Sequence, residues 1–180
     1  MKTQTGFTLV ELMIVLALAA ILLTVGVPSF SNMIQNNRIV TQTNGFVSSL
    51  HLARSEAVKR GIPVAICPTS DPTATNPTCV DTTDWSKGWL VFTDDSGTAG
   101  VYDNTDVLLQ IHEGPSDGIT LTGNSPSVRR IRFDARGALT PSTALALTLA
   151  PQTCPAGDSH VRAITVTAPG QVRIATNNCP

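Results

Sequence analysis

The chain has 180 residues, enough for one ordinary domain or a small domain with an appendage. Charged residues are 14%, hydrophobic residues 42% and aromatic residues 4%, which excludes a disordered, highly charged chain and demands an aliphatic core. The net charge of -1 excludes no partner by itself, because it sums a balance of +3 over residues 1–66, -8 over 67–117 and +4 over 118–180.

From Phe7 to Val27 the chain is apolar except for Thr8, Glu11, Thr24 and Gly26. These 21 residues are long enough to cross a bilayer as a helix. Lys2 precedes them and no acidic residue does, so the positive-inside tendency puts residues 1–6 in the cytoplasm and the rest outside. A cleaved secretory signal ending at Ala17-Leu18-Ala19 would account for the apolar run but not for Glu11, since a carboxylate inside such a run is costly and marks a function. Pro28 suits a kink at the membrane surface.

Beyond Pro28 the helical period continues. Phe46, Val47, Leu50, Ala53, Ala57 and Val58 form one stripe, with Arg54, Glu56, Lys59 and Arg60 mostly off it. Gly61 and Pro63 end it. The expectation is one helix from about residue 8 to 60, kinked near Pro28 and roughly 80 Å long. From Ile62 onward, Val/Ile/Leu/Thr-rich runs lie between turn residues. They predict strands at 62–67, 88–93, 106–112, 118–122, 128–133, 144–149, 160–168 and 171–175. The predicted fold class is α+β: a long helix whose second half packs on an antiparallel two-sheet β domain.

Cys67, Cys79, Cys154 and Cys179 are even in number and follow the apolar run, which points to an oxidising compartment. Three pairings are open. Proximity favours Cys67–Cys79, closing a Thr/Pro-rich loop, and Cys154–Cys179, tying back the C-terminus. No Cys pair has C-x-x-C spacing and the three His are scattered, which argues against zinc. The stretch Asp94 to Asp106 misses the EF-hand register and is expected to be a solvated turn. Nucleophile-elbow, zincin and P-loop motifs are all lacking; His51 and His160 are expected at the surface, and the chain is expected to be no enzyme and to need no cofactor or metal.

Gly6-Phe7-Thr8-Leu9-Val10-Glu11-Leu12 resembles the class III signal of type IV pilins and type II secretion pseudopilins. The resemblance implies that a prepilin peptidase cuts between Gly6 and Phe7 and methylates the new amine, leaving the apolar helix in place. Glu11 of one subunit would then meet the Phe7 amine of another in a packed bundle, since a buried charge needs a partner. Leu52 to Arg60, Val64-Ala65-Ile66-Cys67, Trp85 to Phe92, Phe133-Asp134-Ala135-Arg136-Gly137 and Ile164 to Arg173 are similar to the GspH/FimT branch of minor pilins and pseudopilins. The implied organisation is a leader at 1–6, a transmembrane and filament-core helix at 7–27, an amphipathic continuation at 28–60 and a periplasmic β-rich domain at 61–180. The implied partners are other pilins and an inner-membrane assembly platform, in a type IV pilus or a type II secretion pseudopilus.

The FimT group also implies capture of double-stranded DNA through a C-terminal G-R-x-R motif. Gly170, Gln171, Val172 and Arg173 occupy it here, with Gln171 in place of the first arginine. Arg129, Arg130, Arg132, Arg136 and Arg162 are the cations expected to compensate, because guanidinium groups suit phosphate.

Overall fold

The computed structural model of the chain describes residues 8–95, 97–103, 105–116 and 118–179, with residues 25–29 described by backbone alone. Gly6 and Phe7 lie outside the described residues, as does the side chain of Pro28, where the kink is expected. The chain divides into two compact units, Met1–Arg38 and Ile39–Pro180, and helix α1 (Leu9–Arg60) contributes to both.

In the first unit, Thr8 starts the helix: its hydroxyl accepts the Glu11 N–H at 3.2 Å and its carbonyl accepts the Leu12 N–H. Thr8 and Glu11 thus stand in the S/T-x-x-E spacing of a capping box, with the carboxylate at the positive end of the helix dipole. Every large apolar side chain from Leu9 to Leu23 is more than half exposed. Among the described residues no helix is long and apolar enough to cross a membrane. The run expected to do so, Phe7 to Val27, begins before the described residues and ends among those described by backbone alone.

In the second unit, Ile39, Thr43, Phe46, Leu50, Ala53 and Ala57 of α1 are buried at alternating spacings of four and three, one face of a helix. Val58, expected on this stripe, is instead 54% exposed; it falls one position past the seam, and the turn at Gly61 (φ 69°) follows at once.

Eight strands follow: β1 (Val64–Pro68), β2 (Gly88–Thr93), β3 (Leu108–Glu113), β4 (Ile119–Gly123), β5 (Ile131–Phe133), β6 (Leu145–Pro151), β7 (Val161–Val166) and β8 (Val172–Asn177). They form two antiparallel sheets of order β3-β2-β1-β5 and β4-β6-β7-β8. Strand β6 shows why: Leu145, Leu147 and Leu149 alternate with half-buried Ala146 and Thr148, as a one-sided sheet requires. β5 is shorter than expected because the turn at 126–129, in which the Val128 N–H bonds the Ser125 carbonyl, takes up the start of the predicted strand.

The core is shared by the helix seam and both sheets. Phe46 meets Trp85 and Trp89 edge-on, at 5.6 and 5.0 Å between centroids. Neither indole N–H is left unpaired: Trp85 donates to the Val128 carbonyl and Trp89 to the Ser49 hydroxyl, each at 2.9 Å. A smaller cluster on the other face of β1 and β2 gathers Ala65, Cys67, Leu90 and Phe92 against Cys79, Tyr102 and Leu108. The Cys67–Cys79 disulfide draws the Thr/Pro loop over this cluster, and Cys154–Cys179 ties the C-terminus to the β6–β7 connection.

Candidate functional site

Two sets of residues carry the sequence expectations. The first lies at the start of α1. Glu11 is exposed in the single subunit, one turn from the helix end, and its backbone is capped by Thr8. Gly6 and Phe7 precede the described residues.

The second set is the arginines, which the fold divides between two sheets. Arg132 on β5 reaches across β1 to Asp94, which is 1% exposed; its Nε donates to the carboxylate and a terminal nitrogen donates to the Asp94 carbonyl at 3.0 Å. The same carboxylate accepts the Gly100 N–H through both oxygens. Asp94 is therefore a buried structural anion, not part of a solvated turn as expected. Arg129 and Arg130 both face Asp81, at 2.9 and 3.8 Å. Arg136 folds back on Asp134 at 3.1 Å while staying 88% exposed. The Asp134 carboxyl lies below the ordinary aspartate range, held there first by the Ala138 N–H and then by Arg136.

Arg162 on β7 is only 8% exposed and donates to the carbonyls of Ser159 and Val161. It cannot lie on an open DNA face: the disulfide-tied β6–β7 connection covers it. Beside it His160, expected at the surface, is 7% exposed, with its ring 3.8 Å from Asp158. His51 on α1 is exposed, as expected. Arg173 and Gln171 are both exposed, and Arg173 projects from β8.

Sequence reasoning missed the role of Arg54. Its Nε donates to the Gly137 carbonyl at 3.0 Å and its terminal nitrogen to the Pro169 carbonyl at 3.2 Å, so one helix side chain clamps the turns after β5 and β7. Both turns need glycine. Gly137 and Gly170 have φ of 78° and 80°, and a side chain on Gly170 would sit on the Gly137 carbonyl. Gly137 ends the Phe133 to Gly137 motif and Gly170 opens the motif that ends at Arg173, so both motifs meet at the helix. The available signal was a cation one position beyond the buried Ala53.

Among the described residues no group of three or more His, Cys, Asp or Glu side chains is placed to hold a metal ion. Asp103 and Asp106 are tied into their own loop. Thr105 lowers the Asp103 pKa, chiefly through its hydroxyl, whereas burial raises that of Asp106.

Residues 42–170, most of the chain, match the family described as type II transport protein GspH. The chain belongs to the GspH family. Residues 1–27 also match the prokaryotic N-terminal methylation motif. The GspH-family fold seen here is similar to two crystal forms of the type IV minor pilin FimU of Pseudomonas aeruginosa. One has a TM-score of 0.58 at 21% identity, covering 77% of this chain and 89% of that one. The other has a TM-score of 0.54 at 21% identity, covering 75% and 90%. The minor pseudopilin EpsH of the Vibrio cholerae type 2 secretion system is similar at 15% identity and TM-score 0.46, covering 74% and 92%. No curated protein matches. The expected family of GspH/FimT-type minor pilins and pseudopilins, and the α+β fold with two antiparallel sheets, are thus both met.

Proposed function

We propose that this chain is a minor filament subunit, held in the inner membrane by α1 with residues 1–6 cytoplasmic and the β domain periplasmic. A prepilin peptidase cuts it after Gly6 and methylates Phe7. The assembly platform then moves it into a type IV pilus or a type II secretion pseudopilus, where it primes assembly or lies near the tip. The observation that carries this reading is the start of α1: a sleeve of apolar side chains from Leu9 to Leu23, all more than half exposed, with one carboxylate, Glu11, in its first turn. A surface of that kind needs lipid or neighbouring helices around it. Glu11 supplies the charge that a neighbour's Phe7 amine would meet. Intact-mass measurement of the membrane-extracted chain is expected to give an N-terminus at methylated Phe7. A start near Ala20 would mean a cleaved secretory signal and would overturn the reading.

Capture of double-stranded DNA is the second reading, and it rests on exposed Arg173. The ion pairs of Arg129, Arg130, Arg132 and Arg136 and the burial of Arg162 weigh against a wide phosphate-binding face. If DNA is bound, anisotropy of a labelled duplex should show weak, salt-sensitive, sequence-indifferent binding, lowered by Arg173→Ala and raised by Gln171→Arg. Binding that ignores both substitutions removes the DNA reading.

A further inference from the structure

Each sheet has two edges, and the chain closes one of each. The β5 edge is covered by the Phe133–Leu139 bridge and by the Thr140 N–H on the Arg132 carbonyl. The β4 edge is covered by residues 83–85: Asp84 bridges Thr122, the Trp85 N–H bonds the Leu121 carbonyl and the Gly123 N–H bonds the Thr83 carbonyl. Among the described residues nothing pairs with the outer side of β8 or of β3.

The β8 edge is open over its whole length. All six of its residues escape full burial, and Ile174 is 48% exposed although it is registered opposite fully buried Ile164 on the core face. The hairpin sets which backbone groups are free. The Thr167 N–H bonds the Gln171 carbonyl, and bonded pairs alternate along an antiparallel ladder. Arg173, Ala175 and Asn177 therefore bond to β7, and the N–H and C=O groups of Val172, Ile174 and Thr176 point away from it. Proteins blunt such edges with proline, bulges, lysine or very short strands. β8 has no proline or lysine and keeps an unbroken six-residue register. Its one charge is Arg173, exposed on the outer face.

The other open edge of this fold has the opposite chemistry. β3 ends in exposed Glu113, where β8 carries exposed Arg173. An edge of that kind on a neighbour matches β8 in backbone and in charge, Glu113 against Arg173. Joining two different edges of like subunits is a heterologous contact, which propagates along a filament instead of closing a dimer.

We propose that β8 is a strand-addition edge that takes the open, acidic edge strand of a neighbouring filament subunit of this fold, through the backbone of Val172, Ile174 and Thr176 and an ion pair at Arg173. This rests on the filament reading above. The test is the amount of full-length chain in sheared filaments from cells that assemble them, for wild type, Ile174→Pro and Arg173→Glu. Proline at 174 removes an N–H that the β7 ladder does not use. Both variants should keep wild-type membrane levels and thermal unfolding, and their content in filaments should fall about tenfold or more. If Ile174→Pro fails to fold, Arg173→Glu decides, being an exposed substitution. Wild-type chain missing from filaments overturns the filament reading itself. Wild type present with both variants present at equal levels overturns the edge alone. Two other results also overturn it: a detergent-solubilised dimer lost in Ile174→Pro while incorporation is normal, which makes the occupant a second copy outside the filament, and duplex DNA binding lost in Arg173→Glu while incorporation is normal.

Discussion

Asp134 shows how much one carboxylate organises. It accepts the N–H groups of Arg136 and Ala138 at 2.8 and 2.9 Å, and so shapes the turn that brings Gly137 under Arg54. Asp134→Ala is expected to cost about 1–2 kcal/mol, the worth of a lost cap and its charge-assisted bonds. The pH dependence follows from the lowered pKa. A depressed folded-state value means that the ionised form stabilises the fold; this contribution is complete above the ordinary aspartate range and is lost as pH falls through the lowered folded value. Urea titrations from neutral to strongly acid pH should show wild type and Asp134→Asn converging as pH falls. A constant gap would show that the turn does not depend on ionisation. The Phe133 to Gly137 motif was legible in the sequence; that its turn carries the helix clamp was not, because Arg54 lies 83 residues from the Gly137 carbonyl in sequence.

At the scale of elements, the helix seam and the strand alternation were legible because both are local periods. Each of the eight predicted strands overlaps an observed one, with ends displaced by a few residues. The clearest misplaced end is at the turn 126–129, where a backbone bond rather than side-chain pattern decides. The contact between the two glycine turns is a non-local feature with a sharp consequence. Gly61 and Gly170 both have positive φ, but a side chain at Gly61 meets nothing within 4 Å, whereas one at Gly170 meets the Gly137 backbone. Gly61→Ala should therefore cost only the left-handed backbone penalty, about 1–2 kcal/mol, and Gly170→Ala should cost at least about 2 kcal/mol more. Thermal unfolding of the two variants measures the difference. Equal losses would show that the turns part without cost.

For the whole molecule, the buried cluster that joins helix to sheets begins at Ile39. A fragment starting near residue 33 should fold cooperatively without the apolar start of the helix and contain no free thiol, with peptide mapping finding Cys67–Cys79 and Cys154–Cys179. Reduction should cost about 3 kcal/mol per loop by chain entropy. A gradual melt, or crossed cysteine pairs, would contradict the shared core or the loop assignment. The sequence by itself determined the helix, the strands and the family, since periodicity and contiguous motifs are written within a few tens of residues; among the three open cysteine pairings it favoured the nearest-neighbour one, which the tertiary structure holds. The availability of the arginines was decided only by the tertiary structure. Arg132 is taken by Asp94 across 38 positions, Arg54 by Pro169 across 115, and Arg162 by burial, while Arg173 stays exposed on an open strand. A guanidinium binds whatever anion or carbonyl packing brings within a few ångströms, and separation along the chain does not predict that distance.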